Sequence, residues 1–140
     1  MIPNRTGLRI RGNRGNKEVR QALIRYARWL RSKYEFPIRL PVYLSPHKFA
    51  VMPDDRECSA GFFAPLDRNT EPLIRIYTGD YTELKKDIGR EGALAHFVVS
   101  LSHELLHYQQ WRATGDAWER GVAARAVRML RQYEKEVDRL

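Results

Sequence analysis

Residues 103–130 read HELLHYQQWRATGDAWERGVAARAVRML, and the first five decide how the chain is understood. His103 and His107 stand four positions apart. On a helix such residues project from one side, one turn apart, so two imidazoles at this spacing can hold one zinc ion. Glu104 is turned about 100° from His103. That suits it poorly as a ligand beside the pair and well as a hydrogen-bond partner for a water next to the metal. A general base in zinc-dependent hydrolysis needs that position. Two histidines and a glutamate on an otherwise apolar helix would be costly to bury without a role.

A catalytic zinc takes three protein ligands and keeps one position open. No histidine follows His107, so the third ligand must be of another type. Glu119 is the leading candidate and Asp116 the rival. Gly115 can end the first helix and fold a second one back on it. Asp116 and Glu119 also fit a capping box for that second helix, which is the structural alternative to ligation. Ala123 and Ala126 would let the two helices approach closely.

Working outward, apolar periodicity predicts the metal-site helix over about 91–113, with Leu94, Val98, Leu101, Leu105 and Tyr108 as its core stripe. His96 lies about 10 Å along the axis from His103 and reads as a core or rim residue. Lys85 and Lys86 sit in a charged stretch that suits a short helical turn. Upstream, three strands are expected over 39–44, 59–64 and 73–78, the last two able to form a hairpin. Asn16 is a good cap for a helix over about 17–34, with Val19, Ala22, Leu23, Tyr26, Ala27 and Leu30 on its apolar face. Residues 1–15, with glycines among arginines, read as an irregular basic arm. Residues 16–140 then form one domain.

The composition excludes several classes. The chain has 140 residues, 43% hydrophobic and 30% charged, which suits one globular domain. Its single cysteine, Cys58, rules out an intramolecular disulfide and a Cys-only metal site, and fits a reducing compartment. The longest stretch without formal charge, Gly92 to His103, is too short to span a membrane. The N-terminus lacks an apolar signal core, so a cytoplasmic or virion-associated protein is expected. Residues 1–31 hold nine basic side chains against Glu18 alone, so this segment accounts for the whole formal charge of +8. Two readings of such a segment stand side by side: a surface for nucleic acid or another polyanion, and a solvated helix face with a loose arm.

The stretch HELLHYQQWRATGDAWERGVAARAVRML resembles the glutamate-zincins, metallopeptidases with HExxH on one helix and a glutamate ligand on the next. The small size resembles the single-domain members called minigluzincins. The resemblance implies an α+β, zincin-like fold: an N-terminal helix, a small three-stranded sheet, the HExxH helix and a C-terminal glutamate helix. It implies zinc (Zn2+) on His103, His107 and Glu119, with Glu104 as general base for peptide-bond hydrolysis. It also implies an edge strand that holds a peptide or protein substrate by backbone pairing. Ala60, Gly61 and Phe62, within Ser59–Phe63, look like that strand, and Gly61 would permit close approach. The family's transition-state stabiliser has no clear counterpart; Tyr133, Arg125 and Arg128 are candidates. With Ala123 four residues after Glu119, support for a ligating histidine must come from elsewhere, Asp116 among the options. Two further readings stand beside this one. The outline is similar to SprT-like proteases, which act on DNA-bound proteins but usually bring a third histidine. A catalytically silent or latent zinc-stabilised domain is the other, with residues 134–140 as the segment that would fill the cleft. Cys58 could block the metal, and Trp111 and Trp118 could line a substrate pocket or close the corner between the helices.

Overall fold

Asn16 opens the first helix, α1 (Lys17–Lys33). Its Oδ1 accepts the N–H of Glu18 at 2.9 Å and of Val19 at 3.2 Å, two donors that a helix start leaves without partners. The computed structural model describes residues 7–51, 55 and 57–137. Val19, Ala22, Leu23, Tyr26, Ala27 and Leu30 are buried along α1, as their spacing predicts, and Trp29 joins them.

The sheet has four strands, one more than expected. β1 (Leu8–Arg11), β2 (Leu40–Ser45), β5 (Ala60–Phe63) and β6 (Leu73–Tyr77) lie in the order β1-β2-β6-β5. β1, β2 and β6 run parallel, and β5 pairs antiparallel with β6 at the edge. The hairpin expected of the last two strands is thus β5–β6. β1 corrects the expectation of an irregular arm over 1–15. Leu8 is fully buried and Ile10 half-buried, alternating with exposed Arg9 and Arg11. This period of two is hidden in sequence because it covers only four residues, set between glycines. Residues 1–6 lie outside the described part. Pro41 falls inside β2, but pairing with β6 begins only at Val42, so its missing N–H costs no bond there. A two-stranded ribbon of β3 (Ala50–Val51) and β4 (Glu57–Cys58) was not foreseen in the sequence.

The helix that carries His103 and His107, α2, runs Tyr81–Thr114. Gly89 (φ 84°, ψ 166°) breaks it, which separates the charged segment at Lys85 and Lys86 from the apolar one. Gly115 (φ 86°) stops it in the left-handed conformation, its N–H donating to Trp111 O at 2.8 Å. The last helix, α3, spans Val122–Val137. It begins later than Asp116 predicts, because Gly121 (φ 79°) cannot be helical. The capping box therefore does not form, and Asp116 and Glu119 belong to the α2–α3 loop.

The core lies between one face of the sheet and the helices. Leu8, Leu40, Val42, Leu44, Ile74 and Ile76 meet α1 and α2, whose Leu94, Val98, Leu101, Leu105 and Tyr108 are all buried. Side chains fully buried like Leu101 and Leu105 each contribute roughly 1.5–3 kcal/mol by removal from water. Tyr108 also ties α2 to the entry of β2: its hydroxyl donates to Ile38 O at 2.7 Å and accepts from Ile38 N–H at 3.3 Å. The architecture is α+β, with three helices and a small mixed sheet. Among the described residues no helix is long and apolar enough to cross a membrane.

Candidate metal centre

One turn of α2 presents His103 and His107 side by side, their ring centroids 4.9 Å apart. Glu104 lies between them in sequence, and one ligand atom from each of the three falls within 4.8 Å of the others. His103 is half-buried, while Glu104 and His107 are buried. The α2–α3 loop brings Glu119 over the pair. Its Oε2 is 2.9 Å from His103 Nε2 and its Oε1 2.7 Å from His107 Nε2. Glu119 itself is exposed, so the centre opens to solvent on that side.

The second partner of His107 decides what this arrangement can hold. His107 Nδ1 lies 3.0 Å from Gln110 Oε1, and the same oxygen accepts the backbone N–H of Trp118 at 2.9 Å. A backbone N–H can only donate, so Trp118 fixes which end of the amide faces the ring. His107 must then donate from Nδ1. In the neutral ring this leaves a bare lone pair on Nε2, 2.7 Å from a carboxylate oxygen. Two acceptors at that separation repel unless a cation stands with them: a proton on the ring, or a metal ion. Two imidazole nitrogens and a carboxylate, one imidazole oriented through its other nitrogen, are a donor set that suits zinc. Tetrahedral zinc ligands lie about 3.3 Å apart, given bonds of about 2.0–2.1 Å, so Glu119 would need to withdraw only slightly. The residues present therefore fit the metal.

The surroundings of Glu104 shift its proton affinity. Burial pushes its carboxyl above the ordinary range, His103 and His107 oppose the shift, and Glu119 adds to it. A cavity of about 240 Å³ lies beside it, lined by Ser59, Ala60, Val99, Ser100, His103 and Glu104. This is a cleft between α2 and the approach to edge strand β5. Ala60 thus faces the centre. Phe62 instead packs against Tyr108 and Trp111, and Gly61 turns to the sheet's other face.

Other candidates fall elsewhere. Asp116 is exposed in the loop, and Gln110 supplies the support for His107 for which Asp116 was one option. Gln110 was legible in principle, because it lies three residues after His107 on the same helical face. Tyr133 packs on Tyr26 and Trp29 between α1 and α3. Arg125 and Arg128 line a groove with Leu106, Gln109 and Gln132. His96 is exposed and makes an edge contact with Phe97, rather than lying in the core. Trp111 is buried against Phe62 and Tyr108 and donates to Pro65 O at 3.2 Å, so it ties α2 to the loop after β5, while Trp118 stays exposed. Cys58 bonds Ala60 O through Sγ at 2.6 Å. The described part of the tail continues α3, and Glu136 is tied to Lys33 of α1 at 3.0 Å. Residues 138–140 lie outside the described part.

Comparison of the chain with protein-family models, curated proteins and solved structures finds no match. The reading of the centre rests on its own geometry.

Proposed function

We propose that this chain is a zinc-dependent peptidase, zincin-like in architecture, that hydrolyses peptide bonds with Glu104 as general base. One observation carries the reading. His103 Nε2 and His107 Nε2 converge on the two oxygens of Glu119, with the ring of His107 turned by Gln110 so that only a cation relieves the contact. Zinc held by these three residues would lower the pKa of a water and polarise a carbonyl.

The remaining work falls to the chain. His103 and His107 present Nε2 to the carboxylate of Glu119, and Gln110 keeps His107 in the required tautomer. Glu104 accepts a proton from the attacking water and returns it to the leaving amine. Its burial accords with that role, since a carboxylate held above its ordinary range is the better proton acceptor. β5, at the sheet edge, offers backbone groups to an extended peptide beside the cleft at Ala60. The lone cysteine accords with a reducing, cytoplasmic setting.

Glu104→Gln is the test, with zinc content and cleavage of a quenched peptide library measured on the same preparation. The reading requires zinc retained and hydrolysis reduced by about 100-fold or more. Undiminished hydrolysis in the purified variant would sink it.

A further inference from the structure

The sheet face turned away from the helices carries a pattern that the proposed peptidase site does not use. Register sets Arg11, Tyr43 and Arg75 side by side on β1, β2 and β6, and Gly61 ends the row on β5. Residues in register point to one face, and all three of these side chains are exposed. Phe63, two residues along β5 on that face, is 43% exposed. Its ring lies over Gly61, with Cε2 3.0 Å from where a Cβ would stand. The row therefore alternates guanidinium, aromatic ring, guanidinium, aromatic ring. It borders a cavity of about 390 Å³ at the carboxyl ends of the three parallel strands, where Arg14, His47 and Tyr77 also line the walls. Open sheets of parallel strands commonly take their ligands at such ends.

The loop that brings Arg14 there is fixed. Gly15 (φ 83°) lies so close to β2 that a Cβ on it would meet Leu44 Cβ at 2.7 Å, and Asn16 N–H donates to Thr78 Oγ1 at 2.8 Å. The start of α1 is not the anion site, because Asn16 Oδ1 already takes the Glu18 and Val19 amides. Charge recognition falls to the guanidiniums. Elsewhere on the surface Arg39, Lys48, Lys85 and Arg90 sit against carboxylates. Among the described residues Arg11, Arg14 and Arg75 have no such partner. The charge of residues 1–31 is thus divided. Arg20 holds the carbonyls of Gly12 and Arg14, and Arg31 holds Leu8 O, so both are spent within the fold.

We propose that this face binds single-stranded nucleic acid, with Tyr43 and Phe63 stacking on bases and Arg11, Arg14 and Arg75 meeting phosphates. Stacking needs bases that are splayed out, which a duplex does not offer, and every base presents a π-face. A simple phosphate ligand would leave the aromatic half of the row without a use. The proposal is independent of the peptidase reading, because no residue of the row belongs to the metal centre.

The test uses the full chain, since deleting residues 1–15 would remove β1 and buried Leu8. Fluorescence polarisation would compare an oligothymidylate, an abasic oligomer of the same length and a duplex, each across a salt series. The single strand should bind tightest. The slope of log affinity against log salt should fall by about 0.7 for each of Arg11→Ala, Arg14→Ala and Arg75→Ala. Arg75→Lys, which keeps the charge, should retain most of the slope. Tyr43→Ala should weaken oligothymidylate by about fivefold or more and leave the abasic oligomer unchanged. Thermal melting checks that each variant is folded. A duplex or abasic oligomer bound as tightly as oligothymidylate would overturn the proposal. So would a salt slope that none of the three alanine variants alters, or the absence of salt-dependent binding.

Discussion

Replacing Gln110 with leucine keeps the volume of a buried side chain and removes its oxygen. Two donors then lose their acceptor: the Nδ1–H of His107, itself buried, and the N–H of Trp118 in the loop that carries Glu119. A buried donor left without a partner costs about 1–3 kcal/mol. Outer partners of a metal-ligating histidine are typically worth about 10–100-fold in affinity. At about 1.4 kcal/mol per tenfold, that is about 1.4–2.8 kcal/mol, in agreement with the hydrogen-bond range. Gln110→Leu should therefore weaken zinc binding by about 10–100-fold, measured by competition against a fluorescent chelator at fixed pH. Gln110→Glu is the informative companion. A carboxylate can accept from both donors, and the substitution removes an amide nitrogen that is buried without a partner. It should hold zinc at least as tightly as the parent. Parent-like affinity in Gln110→Leu would refute the argument that this amide sets the tautomer of His107.

Three further outcomes follow from the fold. Tyr108→Phe strips both partners from Ile38 and should lower stability by about 1–3 kcal/mol in urea unfolding, with the sheet intact. Leu8→Ala should cost about 2–5 kcal/mol by the same measurement, where a free arm would cost nothing. The tyrosines set an alkaline limit. Burial, then the hydrogen bond to Glu18, pushes Tyr81 from 10 up to about 12, and burial also raises Tyr26, Tyr108 and Tyr133. Below pH 10 these groups are neutral folded or unfolded, so they add no pH dependence. Between about pH 10 and 12 the unfolded chain releases protons that the folded one keeps, so the melting temperature should fall. Tyr81→Phe should show a shallower fall over that range.

What was legible depended on how local the signal was. Asn16 and the apolar face of α1 could be read because capping and periodicity act within a few residues. Gly115 could be read as a stop for the same reason. β1 escaped because its alternation covers only Leu8–Arg11 and its buried face exists only against β2 and α1. The start of α3 was misplaced because Asp116 offers a cap in sequence, while the left-handed backbone at Gly121 decides where the helix begins. Spacing alone suggested His103, Glu104 and His107. Glu119 was one choice of two, and its approach to both imidazoles depends on the path of an irregular loop. The spacing of Gln110 from His107 is local and could have been read, but the orientation of its amide is set by Trp118, brought back by that loop. The row of Arg11, Tyr43, Arg75 and Phe63 has no sequence signature, since strand order and register assemble it from four separate segments.

Zinc stoichiometry tests the central claim most directly, measured by elemental analysis on protein purified without added metal, beside His103→Ala and Glu119→Ala. The account predicts one zinc per chain in the parent and its loss in both variants. A parent without zinc after reconstitution, or a Glu119→Ala variant that keeps it in full, would contradict the three-ligand centre.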